Sequence, residues 1–470
     1  MCGIVGIYGN PEAATLAYLG LYAQQHRGQE GAGIVTVDQG AIHRHMGEGL
    51  VSEVFHNPDL LDSLPGASAI GHTRYSTTGG IGSKNVGPLM FNVRDRAVSI
   101  AHNGNLINLS TIRHDLQEQG ALFQTATDTE LLIHLLAKSR HERLVDQLHE
   151  ALLQVEGAYS LMILSEEGLI AARDPQGWRP FVIGKLDDTW VLASETCALD
   201  LIGAQELREV QPGEILLISE SGLESVHQIP AVQPAHCIFE YIYFSRPDSR
   251  IFGANVDKMR RRLGRELARE APAPTADIVI SVPDSSNTAA IGYAQESGIR
   301  HEIGLIRNHY VGRSFIRPRQ KLRDLTVKLK FNPVRGVLED REIVLVDDSI
   351  VRGTTMKTLV KLIRDAGAKK VHVRISSPPI RNSCYFGLDF PTQSELIATQ
   401  QTVEEVARFL GADSLAYLSL QGTLDAMDHD SDHFCTACFS GRYPLEVKEI
   451  PSKDMFELPL ESVPVVVTAT

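Results

Sequence analysis

The chain has 470 residues, a formal net charge of −13 and 43% hydrophobic residues, a composition typical of a globular protein with more than one domain. The acidic balance argues against nucleic acid as a partner of the whole molecule. No apolar run has the length of a membrane span and no signal peptide precedes Cys2, so we expect a cytoplasmic protein. Six cysteines in this length exclude a disulfide scaffold and favour metal binding or catalysis.

The amino terminus places a cysteine directly before a predicted strand. The apolar run at residues 4–8 predicts that this strand begins almost at once. Removal of Met1 would leave Cys2 with a free α-amine, whose reference pKa of roughly 7.7–8.0 suits a general base. One residue would then carry both a nucleophilic thiol and its base. The alternative is a cysteine that stands at position 2 without a chemical role.

Compact polar clusters follow in the first half of the chain, at residues 26–31, 71–77, 102–105 and 127–130. Short apolar runs at 69–70 and 98–101 lead into the second and third clusters. Together with Cys2 and residues 173–180, these clusters closely resemble the glutaminase domain of the N-terminal-nucleophile amidotransferases, over roughly residues 2–225. The resemblance implies an αββα sandwich with Cys2 as its nucleophile.

The resemblance also assigns roles to individual residues of a glutamine site. It implies that Cys2 attacks the amide carbon, and that the Asn103 side chain and the Gly104 N–H form the oxyanion hole. It further implies that Arg74 pairs with the substrate carboxylate, a task that suits a bidentate guanidinium. The substrate α-ammonium would be bound by Asp128.

Arg27 is similar in position to a second arginine of the same pocket. The predicted site therefore contains one anion binder, one cation binder, a nucleophile and neutral donors for a developing oxyanion.

A proline-containing stretch at residues 228–235 interrupts the periodicity and predicts a linker between two domains. We expect a glutaminase domain at residues 2–228 and a second domain at 236–470. The alternative is a surface loop within a single domain. Further along, the patterns predict a strand-like entry at 236–244, a helix at about 254–270 and a buried strand at 278–282.

The most specific stretch of the second half is residues 342–355. Four apolar or β-branched residues predict a parallel strand buried on both faces, and Asp347 and Asp348 end it. A loop with one glycine and three hydroxyl residues leads into a helix that begins near Thr354. Backbone N–H groups at 351–355 and the positive helix end can hold a phosphate, while the two acids suit sugar hydroxyls or a divalent cation. The alternative is an ordinary strand-to-helix turn with two solvated acids.

This stretch closely resembles the phosphoribosylpyrophosphate (PRPP) loop of type I phosphoribosyltransferases, whose second domain would be a parallel sheet. The resemblance implies PRPP binding by Asp347, Asp348, Ser349, Val351, Arg352, Gly353, Thr354 and Thr355. It also implies a magnesium ion at Ser285, Asp347 and Asp348, where Ser285 belongs to a turn at 283–288 that would contact pyrophosphate.

Residues 307–335 carry a net positive charge in an otherwise acidic chain, with nine lysines and arginines against one acid, Asp324. We expect the segment around residues 313–330 to be a lid that closes on bound polyphosphate. A solvated basic loop is the alternative.

Four cysteines fall in the predicted second domain, at Cys237, Cys384, Cys435 and Cys438, whereas Cys197 is expected to be a buried apolar residue of the first. The C-x-x-C pair alone fits zinc or redox chemistry, and four thiolates fit structural zinc as well as an iron–sulfur cluster. The contexts of Cys237 and Cys384 resemble the iron–sulfur branch of one family, which implies a [4Fe–4S] cluster.

Both halves resemble the glutamine PRPP amidotransferase (amidophosphoribosyltransferase) family over nearly the whole chain. The resemblance implies an enzyme that hydrolyses glutamine and transfers the ammonia to PRPP, giving 5-phosphoribosylamine, the first step of purine synthesis. It also implies Mg²⁺, inhibition by purine nucleotides and a homo-oligomer. Two alternatives are a nucleotide-sensing regulator without catalysis and a related glutaminase with another acceptor.

Overall fold

The computed structural model describes residues 1–76, 82–230, 232–308, 329–390, 392–428, 430–448 and 456. The chain divides into two compact units, which we treat separately. The first unit comprises Met1–Pro234, Tyr385–Asp389 and Leu445–Thr470, and the second comprises Ala235–Cys384 and Phe390–Pro444. Within the described ranges, we find no helix with the length and apolar character needed to cross a membrane.

The first unit contains two antiparallel sheets. The seven-stranded sheet has the order β11-β9-β10-β1-β4-β2-β3 and the six-stranded sheet the order β13-β12-β8-β7-β6-β5. Their strands are β1 (Gly3–Tyr8), β2 (Gly31–Asp38), β3 (Ala41–Glu48), β4 (Ser68–Arg74), β5 (Leu89–Val93), β6 (Arg96–Leu106), β7 (Gly157–Ser165), β8 (Gly168–Arg173), β9 (Val182–Leu186), β10 (Thr189–Ala193), β11 (Gln205–Glu209), β12 (Glu214–Ser219) and β13 (Gly222–Gln228).

Three apolar cores separate four layers. Buried residues of both sheets, such as Ile4 and Met162, form the central core. Val5 of the first sheet packs with one group of helices and Leu161 of the second with another. This is the αββα sandwich predicted from the sequence. The helices are Ala13–Ala23, Val51–Val54, Asp59–Asp62, Leu109–Glu118, Asp128–Lys138, Leu144–Leu152 and Thr196–Ile202, with 3₁₀ turns at Gln25–Arg27 and Ser83–Asn85.

The second unit is centred on a four-stranded parallel sheet with the order β17-β20-β21-β22. Apolar residues of these strands and of the helix Thr354–Asp365 are buried together, as in a parallel sheet covered by helices. The strands of the unit are β14 (His236–Cys237), β15 (Arg250–Ile251), β16 (Ala254–Asn255), β17 (Ile278–Ser281), β18 (Leu305–Arg307), β19 (Phe331–Pro333), β20 (Glu342–Asp347), β21 (Lys370–Ile375), β22 (Ser414–Tyr417) and β23 (Phe434–Cys435).

The two helices predicted for the second unit are present, at Val256–Glu270 and Thr354–Asp365. The expected strand at residues 236–244 is wrong, because pairing ends after His236–Cys237 and a π-helix follows at Glu240–Phe244. The backbone groups beyond β14 therefore bond within their own turn. The helices are Val256–Glu270, Asn287–Ser297, Arg335–Leu338, Thr354–Asp365, Ile397–Gln400, Val403–Leu410, Leu420–Asp425 and Ala437–Ser440, with 3₁₀ turns at Gln393–Glu395 and Ser431–His433.

The division into units differs from the predicted domains at two places. The boundary between Pro234 and Ala235 falls within the expected linker at 228–235. However, Tyr385–Asp389 and Leu445–Thr470 are grouped with the first unit, although the sequence placed them in the second domain. Tyr385–Asp389 is joined to its unit by contacts between residues far apart in the sequence, such as Arg179 with Phe386, which a linear pattern does not reveal.

Candidate functional site: two sites on separate units

Cys2 lies just before β1, which pairs with β4 so that Gly3 faces Thr73. The Cys2 N–H donates to Asn103 Oδ1 at 3.2 Å, and the Tyr75 N–H donates to the Cys2 sulfur at 3.4 Å. Only 9% of the cysteine is exposed. Pairing of β1 with β4 thus places Cys2 beside the end of β4, and its hydrogen bond to Asn103 joins it to β6 of the other sheet.

The surroundings of the thiol favour its ionised form. Burial alone would raise the pKa of Cys2, but the neighbouring His72, the α-ammonium of Met1 and the Tyr75 N–H lower that pKa to about 6. An ordinary cysteine has a pKa of roughly 8.5. At neutral pH, Cys2 is therefore mostly a thiolate, the nucleophilic form.

Arg27 lies behind Cys2 in a buried ion pair. Its Nε donates to the Cys2 carbonyl oxygen at 3.1 Å, and its Nη1 pairs with Glu195, which is also fully buried. His26 Nε2 lies 2.7 Å from the same Glu195 oxygen. These contacts favour a role for Arg27 in holding the Cys2 backbone, and its predicted contact with glutamine stays a prediction.

Asn103 and Gly104 lie within a strand rather than in a loop, since β6 runs from Arg96 to Leu106. Asn103 is fully buried, and while its Oδ1 accepts from Cys2, its Nδ2 has no hydrogen-bond partner within the described ranges. Such a buried donor is costly unless something pairs with it. A Cβ on Gly104 would lie 1.9 Å from the Ala158 carbonyl oxygen, so only glycine fits there.

Arg74 and Asp128 meet near a small cavity beside Cys2. Asp128 starts the helix Asp128–Lys138 and accepts from the Leu106 N–H at 3.1 Å. Burial would raise the pKa of Asp128, but His102, the Leu106 N–H and Arg74 lower it below the usual range. The cavity is lined by His72, Arg74, Asn85, Gly87, Leu89, Ile100, Ala101, His102, Thr127 and Thr129.

Sequence reasoning gave no role to His72, His102 or Glu195. The structure places His102 Nδ1 3.4 Å from Asp128, while His72 lowers the pKa of Cys2. One available signal was the position of both histidines within the polar clusters. The pairing of Glu195 with Arg27 spans 168 positions and left no local signal.

In the second unit, the two acids of the predicted PRPP loop lie beside the turn at 283–288. Ser286 Oγ donates to Asp347 at 2.8 Å, and Ser285 Oγ donates to Asp348 at 2.6 Å. Ser349 Oγ also donates to Asp348 at 2.6 Å. Burial and the neighbouring Asp348 charge raise the pKa of Asp347 well above its usual value. This concentration of negative charge fits a hard cation that prefers oxygen ligands.

The loop after these acids ends where the helix Thr354–Asp365 begins, as predicted. Gly353 has a φ of +74°, a left-handed conformation that favours glycine. The Ile397 N–H donates to the Val351 carbonyl oxygen at 3.0 Å, and Arg352 pairs with Glu395 at 2.9 Å on the surface. The open helix start provides the N–H groups expected of an anion site.

The four cysteines of the second unit come together from distant parts of the chain. Parallel pairing of β14 with β23 sets Cys237 opposite Cys435, and the N–H groups of Arg381 and Asn382 donate to the Cys438 carbonyl oxygen. Burial and the other three thiols raise the pKa of Cys438 well above its usual value. The quartet is therefore one cluster of thiols, which we call the cysteine quartet: Cys237, Cys384, Cys435 and Cys438.

The remaining predicted elements fall partly outside the structure. Residues 309–328, which contain most of the expected lid, lie outside the described ranges, as do residues 77–81 after Tyr75. At the near edge of the lid, Arg307 pairs with Asp284 at 2.6 Å. The expected closure of the lid stays a prediction.

Comparisons with known proteins cover nearly the whole chain. The glutamine amidotransferase domain model matches residues 72–201. The chain is 49% identical to the amidophosphoribosyltransferase of Bacillus subtilis over 451 residues, 95% of this chain and 94% of that protein. It is 52% identical to amidophosphoribosyltransferase 1 of Arabidopsis thaliana, described as chloroplastic, over 96% of this chain and 80% of that protein.

Solved structures extend this likeness to the fold. The structure titled as the allosteric regulatory enzyme of purine biosynthesis matches with a TM-score of 0.90 and 48% identity, covering 95% of this chain and 97% of that one. Glutamine PRPP amidotransferase from B. subtilis, complexed with ADP and GMP, matches with a TM-score of 0.89 and 48% identity, covering 95% and 98%. The chain belongs to the amidophosphoribosyltransferase family.

Proposed function

We propose that the chain hydrolyses glutamine at Cys2 and transfers the released ammonia to PRPP, giving 5-phosphoribosylamine, glutamate and pyrophosphate. This is the first step of purine biosynthesis and the reaction of a glutamine-dependent glycosyltransferase. Family membership over nearly the whole chain supports the overall reaction, and the two sites support its division into two half-reactions.

In the first half-reaction, the Cys2 thiolate attacks the amide carbon of glutamine. The carbonyl oxygen becomes an oxyanion, which accepts hydrogen bonds from Asn103 Nδ2 and the Gly104 N–H. Collapse of this intermediate breaks the C–N bond, and the nitrogen leaves as ammonia after protonation by the α-ammonium of processed Cys2. Water then hydrolyses the thioester to glutamate. Arg74 and Asp128 bind the substrate carboxylate and α-ammonium.

The observation that carries this assignment is the unpaired Asn103 side chain. In the described part of the structure, its Nδ2 is buried without a partner while its Oδ1 fixes the backbone of the nucleophile. A substrate oxyanion next to the sulfur would satisfy that donor. Asn103→Ala should lower kcat for glutamine hydrolysis by about 10²–10³-fold. Asn108→Ala, at an exposed helix cap, serves as the control.

In the second half-reaction, ammonia attacks the anomeric carbon of PRPP and pyrophosphate leaves. Backbone N–H groups of the loop at 349–355 bind the 5-phosphate, while Asp347 and Asp348 orient the ribose hydroxyls. Mg²⁺, held near Asp347, Asp348 and Ser285, would neutralise charge on the departing pyrophosphate. Burial and the adjacent Asp348 carboxylate raise the pKa of Asp347, and a bound cation would offset the repulsion between the two acids.

The cysteine quartet supplies four thiolates, a ligand set that fits a [4Fe–4S] cluster as well as structural zinc. The sequence around Cys237 and Cys384 resembles the iron–sulfur branch of the family, and on this ground we propose the cluster. Protein purified without air should be brown and contain iron and sulfide, whereas a colourless protein with one zinc per chain would contradict the assignment.

Regulation and assembly are also proposed by analogy with relatives. The B. subtilis relative was solved with ADP and GMP, and we propose that purine nucleotides inhibit this chain too. A homo-oligomer and a cytoplasmic location remain predictions from the sequence resemblance.

One assay separates the proposal from its alternatives. Glutamate release should depend on glutamine, and PRPP should accelerate it because ammonia released without an acceptor is wasted. A regulator without catalysis would release no glutamate. A related glutaminase with another acceptor would release glutamate but produce no pyrophosphate from PRPP. Either result would contradict the proposal.

A further inference from the structure

A five-residue segment, Tyr385–Asp389, belongs to the first unit although the residues on either side, Cys384 and Phe390, belong to the second. We call it the inserted segment. Neither its sequence nor the resemblance to known families gave it a role. Its contacts within the first unit include the end of β6 and residues 178–179.

The inserted segment is held by buried partners. The Asn105 Nδ2 group donates to the Tyr385 carbonyl oxygen at 3.0 Å, and Arg179 Nη2 donates to the Phe386 carbonyl oxygen. The Phe386 ring stacks on Trp178 with centroids 3.9 Å apart and an interplanar angle of 16°. Trp178 and Arg179 are fully buried, and Phe386 is 2% exposed. Such contacts fix both the backbone and the ring of the segment.

The next residue, Gly387, lies directly against Gly104. Its φ is +110°, and a Cβ there would lie 3.3 Å from both the carbonyl carbon and the oxygen of Gly104 and 3.0 Å from Arg179 Nη2. On its other side, Gly104 approaches the Ala158 carbonyl oxygen so closely that only glycine fits. The Gly104 backbone is therefore enclosed between β7 and the inserted segment and can move toward neither.

We propose that the inserted segment is a positioning element for the oxyanion hole. By enclosing Gly104 opposite Ala158, it fixes the direction of the Gly104 N–H that receives the developing charge, and through Asn105 it fixes the end of the same strand. This inference rests on the proposed role of Gly104 in glutamine hydrolysis. An oxyanion donor must be placed accurately before the reaction, because its contribution comes from preorganisation.

Gly387→Ala tests this role. The added methyl group would press on Gly104 and Arg179, and we expect kcat for glutamine hydrolysis to fall by about tenfold or more, with little change in the KM for glutamine. Gly222→Ala is the matched control, since Gly222 has a similar φ of +102° but nothing within 4 Å of the added Cβ. Phe386→Leu, which keeps an apolar side chain but removes the stacking on Trp178, should lower kcat in the same way.

Two further measurements separate positioning from general damage. Alkylation of Cys2 by iodoacetamide forms no oxyanion, so its rate should be unchanged in Gly387→Ala. The rate of phosphoribosylamine synthesis from free ammonia and the iron content should also be the same as in the protein without the substitution. Equal losses in all of these measurements would indicate a merely structural role and overturn the proposal, as would an unchanged kcat in both Gly387→Ala and Phe386→Leu.

The same experiments distinguish failure of this inference from failure of the proposed function. If Asn103→Ala lowers glutamine hydrolysis and Gly387→Ala does not, the oxyanion hole stands and the positioning role is wrong. If Asn103→Ala also keeps full activity, the oxyanion assignment itself is wrong.

Discussion

The glutamine site and the PRPP loop differ in how the fold builds them. Cys2, Asn103 and Arg74 lie on or beside strands of two packed sheets, and the buried charges there have opposite partners. The PRPP loop lies beyond the end of β20, where Asp347 and Asp348 are adjacent to each other and bond to hydroxyl groups. The buried charges of the first site are thus balanced by their neighbours, whereas the second site places two acids side by side, where we propose that a cation binds.

This difference predicts that substitutions in the glutamine site abolish glutamine hydrolysis without affecting the chemistry of the second unit. Cys2→Ala removes the nucleophile and leaves the second unit intact, so glutamine-dependent product should fall by roughly 10⁴-fold or more. Synthesis from free ammonia should persist, and should increase at higher pH because more ammonia is unprotonated.

The control is Ser52→Ala, which truncates an exposed residue of the same unit that lies outside the proposed chemistry. If Cys2→Ala also lost ammonia-dependent synthesis while keeping its fold, the separation of the two half-reactions would be wrong.

The buried ion pair behind Cys2 gives the next largest effect. Glu195→Gln would leave the fully buried Arg27 guanidinium without its carboxylate, and breaking such a pair typically costs about 3–5 kcal/mol. We expect a lower thermal unfolding midpoint for the first unit, measured by differential scanning calorimetry, together with reduced glutamine hydrolysis. Glu209→Gln, whose partner Arg173 is buried but which is itself partly exposed, should cost less. An unchanged midpoint in Glu195→Gln would argue against a structural role for the pair.

Removing the two adjacent acids of the PRPP loop should have the opposite effect: it should abolish PRPP-dependent synthesis and leave glutamine hydrolysis. In the double variant Asp347→Asn, Asp348→Asn, PRPP-dependent synthesis should fall by at least about 10²-fold, because the cation and the ribose lose their ligands. Glutamine hydrolysis should remain at a low level that PRPP no longer raises. Asp340→Asn with Asp365→Asn, two exposed acids of the same unit, controls for the charge change. Normal saturation by PRPP in the first double variant would contradict the assignment.

Sequence patterns predicted the parts of each site that are contiguous in the chain. The strand at Glu342–Asp347 and the helix start at Thr354 followed from an apolar run and its periodicity, which act locally. The αββα sandwich was predicted only because the polar clusters resemble those of a known domain family. The π-helix at Glu240–Phe244 was mistaken for a strand, because an aromatic run fits both until a partner strand is known.

Partners separated by long stretches of chain were the other failure. Glu195 and the inserted segment contact residues more than 160 positions away, so neither leaves a periodic or local signal. Likewise, the sequence patterns place the clusters at 71–77 and 102–105 after short strands, yet β4 continues into the first of them as far as Arg74 and β6 spans the second. In the sequence alone, polar residues within a strand indicate that the strand has ended. Only the structure shows that these residues line a buried cavity.

A moderate effect concerns the electrostatics around Cys2. Because its pKa is about 6, the rate of alkylation by iodoacetamide should rise with pH through about 6 and then level off. His72→Gln removes the neighbouring side chain that lowers the pKa of Cys2, so the midpoint should rise toward the ordinary value of roughly 8.5 and the rate at pH 7 should fall about tenfold. His114→Gln, on an exposed helix face, is the control. The same midpoint in both variants would show that His72 does not stabilise the thiolate.

The smallest expected effect involves the ion pair on the PRPP loop, the exposed counterpart of the pair behind Cys2. Arg352 and Glu395 each expose nearly half of their side chains, at 49% and 47%, and lie 2.9 Å apart. Water and salt screen such a pair, so Glu395→Gln should change the KM for PRPP by less than about threefold. Glu404→Gln, an exposed acid of a neighbouring helix, is the control. A larger change in this KM that disappears at high salt concentration would show that Glu395 holds Arg352 in the binding loop. The PRPP loop would then be partly preorganised before its substrate binds.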